Sequence, residues 1–346
     1  MKKTIAISLL TASLISSTYG NEHQNSAQIM QETLDKMKTI ALTQSDESKV
    51  ELNQITTDTF DYKLKATKVN DNVWCFLGLL EGPSKENAGN MVNTCYVKTS
   101  DSYVVVDSGP SYQYAKQAYA VMSDIEKLPV STVISTHEHD DHWLGNSFYK
   151  DKFKAEIIGP KHINDNYKDG DKTRMFKVLP TSAIEGTKII PVDTIPTETL
   201  KLTIGGEEFE IVPIGTKAHT DEDFFVYMPK RKVLFAGDLA MNGRITSNRH
   251  GSLLGELKAI KMMKAKDYET FVPGHGLDTT KRGMDDAEKY FTLLHERIVQ
   301  ALEDDVEMTE LAEVIPMDEF KDRAMFKALN GQNVQEAFTE LEFAEE

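Results

Sequence analysis

The sequence is poor in cysteine, in basic residues and in long apolar runs, and each shortage narrows what the chain can be. Only two cysteines occur in 346 residues, and their spacing is neither that of a zinc knuckle nor that of a Cys-x-x-Cys redox motif. Lysine and arginine number 39 against 55 aspartates and glutamates, so the net charge of -16 argues against nucleic acid or an anionic membrane as the partner. Beyond the N-terminus, no apolar run is long enough to cross a bilayer.

The overall composition is that of a globular protein. Hydrophobic residues make up 40% and charged residues 27% of the chain, and no low-complexity tract interrupts it. A chain of this length can bury a large core in one or two domains.

The first twenty residues have the pattern of a signal peptide. Lys2 and Lys3 precede an apolar stretch, Thr4–Ile15, which is too short for a transmembrane helix. Thr18 and Gly20 place small residues at the -3 and -1 positions of a cleavage site after Gly20. We therefore expect an exported protein, periplasmic in a Gram-negative cell, with no membrane attachment after cleavage. The alternative is an uncleaved anchor; no cysteine follows that could carry a lipid.

The remaining chain divides into a short extension and one large domain. Residues 21–55 are predicted to form a helix, Asn21–Gln44, and a polar linker. Over 56–346, each half has strands followed by helices, which favours an α/β fold, a four-layer αβ/βα sandwich. The predicted strands are Tyr62–Ala66, Val73–Leu80, Thr94–Thr99, Tyr103–Val106, Pro129–Ser135, Leu200–Ile204, Phe209–Pro213, Phe224–Met228, Lys232–Phe235 and Thr270–Val272. The main predicted helices are Ser111–Lys127, Leu253–Met263, Asp285–Glu303 and Asn333–Phe343, with short helical pieces at Ser147–Tyr149 and Pro160–Asn166.

The two cysteines lie on neighbouring predicted strands. Cys75 and Cys95 flank the loop Glu81–Asn90, so they can face each other. A disulfide, which an oxidising compartment would permit, and two buried free thiols both remain open.

One stretch, Thr136–His142, concentrates metal-binding side chains. It contains three histidines and two aspartates, and it follows the buried strand Pro129–Ser135. His137 and His139 are two residues apart, so they cannot share a helix face and fit an extended or looped backbone. Imidazole and carboxylate groups suit Zn²⁺ and similar cations, and strand ends are where α/β sheets bind ligands.

Three further candidates also follow predicted strands. His219, Asp238 and His275 stand among glycine, threonine and aspartate residues, outside any helical pattern. Seven ligands are too many for one tetrahedral zinc ion, so the pattern predicts a pair of metal ions that share a carboxylate. The complete set is His137, His139, Asp141, His142, His219, Asp238 and His275.

In order and approximate spacing, these motifs resemble the metallo-β-lactamase superfamily. The resemblance rests on His137–His142, Ala218–Thr220, Phe235–Asp238, Pro273–Gly276 and the early motif Asp107–Gly109, and it covers the chain from about Tyr62 onward.

The resemblance implies a role for each of these residues. His137, His139 and His219 would hold the first metal, Asp141, His142 and His275 the second, and Asp238 would bridge them. The cofactor would be two Zn²⁺ per chain, with iron or manganese as alternatives. A metal-bridging hydroxide would be the nucleophile, with Asp141 as the catalytic residue that orients it and exchanges a proton. Asp107 and Asp140 would orient the ligands.

The motifs identify the branch of the family less specifically than they identify the family itself. Class B β-lactamases carry Cys or Ser where this chain has Asp238, which argues against antibiotic hydrolysis as the native role. The gap from His139 to His219 is longer than in glyoxalase II or persulfide dioxygenases, and flavodiiron proteins carry Glu in place of His139. Asp141–Asn146 and Asn333–Glu342 look similar to the SoxH-like, quinoprotein-relay zinc metallohydrolases.

The leading hypothesis is an exported binuclear hydrolase of a small ester-, thioester-, lactone- or lactam-like substrate. The alternatives are a mononuclear iron dioxygenase of persulfides, a β-lactamase, and a non-catalytic metal-binding protein. The sequence leaves the substrate, the native metal and the oligomeric state open.

Several other residues are weaker candidates. Arg244 and Asn242 are candidates for binding a substrate carboxylate, with a solvated loop as the alternative. His162 and His250 are candidates for contacting substrate, whereas His23, His295 and Trp143 are expected to be ordinary surface or packing residues.

Overall fold

A computed structural model of the chain describes residues 59–169 and 173–344. The predicted signal peptide, helical extension and linker, together with His23, lie outside the described residues. Within them, no helix combines the length and the apolar character needed to span a membrane.

Eleven strands of the described residues form two mixed sheets. The first sheet has the order β1 to β6, antiparallel as far as β4 and parallel from β4 to β6. The second has the order β11-β10-β9-β8-β7, and only β10 and β11 are parallel. The strands are β1 Thr67–Asn70, β2 Val73–Phe76, β3 Thr94–Lys98, β4 Tyr103–Val106, β5 Val130–Ile134, β6 Glu156–Ile158, β7 Leu200–Ile204, β8 Glu207–Pro213, β9 Phe224–Met228, β10 Val233–Gly237 and β11 Thr270–Pro273.

Helices connect and cover these sheets. They are α1 Tyr112–Ile125, α2 Asp140–Trp143, α3 Asn146–Phe153, α4 His162–Asp169, α5 Met175–Val178, α6 Thr181–Ile184, α7 Leu253–Lys264, α8 Asp285–Glu303, α9 Leu311–Val314 and α10 Phe326–Glu342. Three short 3₁₀ turns, Lys281–Met284, Met308–Glu310 and Asp318–Phe320, lie between the later helices.

Three apolar clusters define four layers. Tyr103 and Val105 of β4 pack in a cluster with the helices from α1 to α6, whereas Val104 and Val106 pack in a second cluster between the two sheets. The third cluster joins the outer face of the second sheet to helices α7 to α10. Because both faces of β4 are covered, its continuous valine run is what a central strand requires. The predicted αβ/βα sandwich is confirmed.

The edge strand β7 shows the other pattern. Leu200, Leu202 and Ile204 are partly buried against the inter-sheet cluster, and Lys201 and Thr203, which alternate with them, are exposed. A tight turn at Gly205 and Gly206, both with positive φ, joins β7 to β8 as predicted.

The two cysteines form a disulfide. Cys75 on β2 lies directly opposite Cys95 on β3, with Cα atoms 4.1 Å apart, and both side chains are buried between the sheets. Of the two alternatives left by the sequence, the structure therefore has the bridge.

Some predicted element boundaries were wrong. Tyr62–Ala66 is not a strand, because Gln117 of α1 binds the backbone around it, accepting from the Tyr62 amide and donating to the Phe60 carbonyl. The sequence analysis did not predict β6. The last helix begins at Phe326, seven residues before the predicted start. The predicted helical piece Pro160–Asn166 corresponds to α4, which ends at Asp169, and the short helix α5 that follows was not predicted.

Candidate metal centre

The site forms where strands of both sheets end. Asp107 follows β4, the stretch His137–His142 follows β5, Asp238 follows β10 and His275 follows β11. The loop between β8 and β9 supplies His219.

Hydrogen bonds tie the two sheets together at this edge. The Phe224 amide donates to the Thr136 carbonyl at 2.8 Å, and the Asn93 amide donates to the Gly274 carbonyl at 2.8 Å. The Asn93 side chain also donates to the carbonyls of Pro273 and Gly276, which fixes the turn that carries His275. The ligand candidates of the two sheets are therefore held in one rigid frame.

The central stretch changes conformation halfway along. His137 and His139 stand on irregular backbone, as their spacing predicted, and His139 is the N-cap of α2. Asp141 and His142 lie within that single helical turn and are buried at 2% and 0% exposure. One short stretch thus directs donor groups toward two neighbouring positions.

The structure brings all seven predicted ligands together in two groups. The donor atoms within each group lie within 4.8 Å of one another. The first group is His137, His139, His219 and Asp238; the second is Asp141, His142 and His275.

In the first group, ring nitrogens face each other. His219 Nε2 lies 3.0 Å from His139 Nδ1, and Asp238 Oδ2 lies 3.4 Å from His219 Nε2 and 3.6 Å from His137 Nε2. His139 is partly exposed, whereas His137 and His219 are buried. Solvent therefore reaches the site on the His139 side.

In the second group, His142 Nε2 lies 3.3 Å from His275 Nε2, and Asp141 Oδ2 lies 3.4 Å from His275 Nε2. Asp238 also approaches this group, with Oδ1 3.3 Å from His142 Nε2 and Oδ2 3.3 Å from His275 Nε2. Asp238 thus lies between the groups, where a bridging carboxylate belongs.

The donor set fits a pair of cations. His137 Nε2 and Asp238 Oδ1 are buried and have no hydrogen-bond partner. Buried polar atoms normally have partners, so unpartnered lone pairs that converge with other donors indicate a ligand position. Two imidazole nitrogens 3.0 Å apart can both point at one cation because each then offers a lone pair.

Hydrogen bonds orient most of these imidazoles. His142 Nδ1 lies 2.9 Å from Asp107 Oδ2, and His275 Nδ1 lies 2.5 Å from the Met91 carbonyl. His137 Nδ1 lies 3.1 Å from Thr136 Oγ1, which itself donates to Asp107 Oδ2 at 2.9 Å. Each arrangement puts the ring proton on Nδ1 and leaves Nε2 free as a ligand. The contacts of Asp107 are those that its predicted orienting role requires, and the role itself stays a prediction.

Charges inside the site compensate one another. Burial, reinforced by His142, lowers the pKa of His137 well below its ordinary value, so this ring is neutral. Burial would raise the pKa of Asp238, but His275 and His142 hold it well below its usual range. Burial opposes protonation of His142, but Asp238 and Asp107 raise its pKa well above the ordinary value. A cation at this position would replace that proton.

Arg174 is a site residue that the sequence analysis missed. Its Nη2 donates to Asp141 Oδ1 at 2.9 Å and lies 3.4 Å from Asp140 Oδ1. Asp140 Oδ2 accepts from the Met175 amide at 2.7 Å, which anchors the segment that carries the arginine. Asp140 therefore orients Asp141 indirectly. Arg174 lies in a charged segment without a recognisable motif. Only its contacts with Asp140 and Asp141 in the folded structure identify it as a site residue.

Two of the weaker candidates, Asn242 and Trp143, have structural roles. The Asn242 side chain binds the backbone around Asp278 and Gly283 with both its oxygen and its nitrogen, so it supports the turn after His275. Trp143 is fully buried, as expected of a packing residue.

The remaining histidines and Arg244 lie outside the ligand groups. His162 is 3.3 Å from Glu138 Oε2, the His250 ring lies 5.8 Å from that of His139, and Arg244 donates to the Glu81 carbonyl at 3.4 Å. His295 lies on α8. Of these, His250 lies beside the donor set, and Arg244 interacts electrostatically with Asp238 and Asp141.

Comparison with known proteins identifies a family and several relatives. A family model described as the metallo-beta-lactamase superfamily matches residues 88–275. A hydroxyacylglutathione hydrolase from Brucella ovis is 29% identical over 155 residues, which cover 41% of this chain and 49% of that protein. The chain thus spans about half the length of the curated relatives it matches.

Solved structures show the same architecture. A metallo-β-lactamase from Pontibacter korlensis matches with a TM-score of 0.52 and 19% identity, over 66% of this chain and 99% of that one. The metallo-β-lactamase IND-7 matches with a TM-score of 0.53 and 18% identity, over 67% of this chain and 100% of that one. At these identities the likeness concerns the fold alone.

Proposed function

The chain belongs to the metallo-β-lactamase superfamily, and on this premise we propose that it is an exported hydrolase with two metal ions, most simply Zn²⁺. The observation that carries the proposal is the arrangement of seven donors in two groups around Asp238. Neither group lacks a predicted ligand, and a single-metal enzyme would not need the second group. This favours the binuclear hydrolase over the mononuclear iron dioxygenase.

Two bound cations would act as Lewis acids toward a carbonyl oxygen and would lower the pKa of a water molecule. The side chains of the site supply orientation. Asp141 turns Oδ2 toward His275 and Oδ1 toward Arg174, so Arg174 holds the carboxylate in one rotamer. Asp141 then accepts a hydrogen bond from the attacking water and can take its proton. Burial of His142 and Asp238 limits the access of bulk water to the reacting groups.

The substrate class is an acyl compound with a labile bond. The curated relative named above is a hydroxyacylglutathione hydrolase, which favours an ester- or thioester-like bond for this chain as well. The partly exposed His139 leaves room for a small molecule on the open side of the site. We therefore propose a small ester, thioester, lactone or lactam as the substrate.

The test combines metal analysis with a substrate screen on the protein purified without chelators. We expect two metal ions per chain and hydrolysis of at least one acyl compound in a panel of esters, thioesters, lactones and lactams. One iron per chain with persulfide oxidation would instead establish the dioxygenase. Full metal loading without any turnover on the panel would favour a non-catalytic metal-binding protein.

Asp141→Ala is the matched variant for this screen. It should abolish turnover and weaken metal retention while the far-ultraviolet circular dichroism stays unchanged. Wild-type rates in this variant would refute the role proposed for Asp141.

Export is supported by two independent features. Residues 1–20 have the pattern of a signal peptide, and the Cys75–Cys95 disulfide is typical of oxidising compartments. Mass spectrometry of the protein from a periplasmic extract should give a mature chain that begins at Asn21. A full-length chain in the cytoplasmic fraction, with free thiols, would contradict the proposal.

We place the chain nearest to the SoxH-like, quinoprotein-relay zinc metallohydrolases. The C-terminal stretch that carries part of this resemblance binds the segment that leads into α7. Asn333 of α10 accepts from the Asn248 amide at 2.8 Å, and Glu340 accepts from the Leu253 amide at 2.6 Å. The last helix thus holds Asn248 and the start of α7 in place.

A further inference from the structure

His219 has no partner for its second ring nitrogen. Nε2 faces His139 and Asp238, but Nδ1 is buried and makes no hydrogen bond. The Nδ1 atoms of His137, His142 and His275, in contrast, each lie within hydrogen-bond distance of an oxygen. A metal-binding histidine normally donates its other N–H to a carboxylate, a carbonyl or water.

The carboxyl group of Glu256 lies close to this nitrogen. Glu256 Oε1 lies 3.7 Å from His219 Nδ1. The side chain is completely buried, and neither of its oxygens has a hydrogen-bond partner. An unpaired donor and an unpaired acceptor group thus face each other in the interior, and a shift of about 0.8 Å would bring them to hydrogen-bond distance.

The local sequence is arranged for this close approach. Glu256 lies in the first turn of α7, behind the N-cap Ser252. A Cβ atom on Gly255 would stand 1.8 Å from the Lys217 carbonyl oxygen, and one on Gly251 would stand 2.5 Å from that of Ala218. Only glycine at these positions lets the start of α7 contact the loop that carries His219.

Glu256 has an energetic cost that packing alone does not explain. Burial, together with Asp223 and Asp238 nearby, raises the pKa of Glu256 well above its usual range. Methionine would fill a similar volume without a buried unpaired polar group. A glutamate here therefore lowers the stability of the metal-free protein. A function of its carboxyl oxygen would explain why the residue is present.

We propose that Glu256 is the positioning residue of His219: its carboxyl oxygen accepts the Nδ1–H proton and leaves Nε2 free for the metal. The inference rests on the proposed metal site. It does not depend on ionisation, since the carbonyl oxygen of a neutral carboxyl group also accepts. Glu256 acts through His219 and does not contact the substrate.

Three variants test this proposal. Glu256→Met removes the acceptor at similar length, and Glu256→Gln keeps an amide oxygen that can accept. Glu340→Met is the matched control, because Glu340 caps α7 through Ser252 and Leu253 without contacting His219. The probe is Zn²⁺ itself, measured by competition with a chromophoric chelator, and the unfolding midpoint of each metal-free protein is measured in urea.

We expect Glu256→Met to bind one of the two zinc ions about 10- to 100-fold more weakly and to unfold at higher urea than wild type when metal-free. Glu256→Gln should stay within about threefold of the wild-type affinity, since orienting partners of this kind act through the hydrogen bond. Glu340→Met should unfold at lower urea and keep both zinc affinities. A purely structural role of Glu256 would instead lower the midpoint.

A spectroscopic measurement covers the case in which Glu256→Met does not fold. In zinc-loaded wild type with ¹⁵N-labelled histidine, His219 should show a slowly exchanging Nδ1–H resonance that shifts in Glu256→Gln. Wild-type zinc affinities in Glu256→Met, equal losses in Glu340→Met, or an Nδ1–H resonance that does not respond to Glu256→Gln would each overturn the proposal. Absence of zinc binding in the wild type would instead refute the proposed metal site, which keeps the two failures distinguishable.

Discussion

Replacing Asp107 with asparagine should prevent His137 and His142 from binding metal, although neither histidine is itself changed. Asp107 Oδ2 accepts from His142 Nδ1 and from Thr136 Oγ1, both at 2.9 Å, and the same hydroxyl lies 3.1 Å from His137 Nδ1. Because a carboxylate only accepts, the direction of every bond in this chain is set. Both imidazoles carry their proton on Nδ1 and offer Nε2 to the site.

Asparagine would reverse that direction. The Thr136 amide donates to Asp107 Oδ1 at 2.8 Å, so the amide oxygen of the asparagine would take this position and its NH₂ group would replace Oδ2. The NH₂ group would donate to His142 Nδ1 and to Thr136 Oγ1, and the hydroxyl would then donate to His137 Nδ1. Both rings would shift their proton to Nε2, the atom that a cation needs.

The magnitude follows from the bonds involved. A hydrogen bond to a charged group contributes about 1.5–3 kcal/mol against about 1 kcal/mol for a neutral one, so two of them amount to a loss of about 1–4 kcal/mol of folding free energy. Loss of an orienting partner lowers metal affinity by about 10- to 100-fold, and here two ligands are affected. Metal analysis after dialysis and urea unfolding of the metal-free protein measure the two effects.

Asp223→Asn is the matched control. Asp223 accepts from the Thr220 amide at 2.7 Å and from its hydroxyl at 2.9 Å, the same pattern without an imidazole bond. This control should lose stability and keep both metal ions. If Asp107→Asn retained two metal ions at wild-type affinity, the tautomer argument would be refuted.

Three further outcomes are expected. Arg174→Met should lower kcat by roughly tenfold, since Asp141 loses the donor that holds its rotamer; an unchanged kcat would show the contact to be idle. Removing the disulfide with the double variant Cys75→Ala, Cys95→Ala should lower the unfolding free energy by about 3 kcal/mol for a loop of this size, and a loss below about 1 kcal/mol would contradict this. Burial raises the pKa of Tyr103 to about 12 and that of Tyr96 well above its ordinary value. Their neutral forms therefore stabilise the fold fully below pH 10. Above pH 10 the stability falls by about 1.4 kcal/mol per pH unit and phenol, up to about pH 12 for Tyr103 and to higher pH for Tyr96. In urea titrations at alkaline pH, Tyr96→Phe should show a shallower decline; an equal slope would refute the assignment.

Sequence patterns predicted the bounds of some strands correctly, both with alternating burial, as in Leu200–Ile204, and with continuous burial. Tyr103–Val106 and Phe224–Met228 have the predicted bounds because runs of apolar residues fit strands covered on both faces. The prediction of Tyr62–Ala66 was wrong because Gln117, 55 residues away, binds its backbone, and no local pattern contains that contact. The three-residue strand Glu156–Ile158 is too short to show a period.

The candidate ligands were accessible to sequence reasoning because each follows a strand and carries a side chain suited to metals. Their supporting groups were not. The Met91 carbonyl that orients His275 has no side-chain signal at all. Glu256 looks like any acidic residue in the first turn of a helix, where it is favourable to the helix dipole. Only its burial, and the absence of a partner, distinguish it.

The location of the site couples metal binding to the assembly of the sandwich. The first ligand group takes His137 and His139 from the end of the first sheet and His219 and Asp238 from the second. Neither sheet alone supplies a complete group, so a cation bound there joins both halves of the core. Binding to the folded state alone stabilises it by RT ln(1 + [L]/Kd), about 4 kcal/mol at a thousandfold excess over Kd. The contacts of Asp107 would thus contribute to stability twice, directly through their hydrogen bonds and through the metal affinity that they are proposed to maintain.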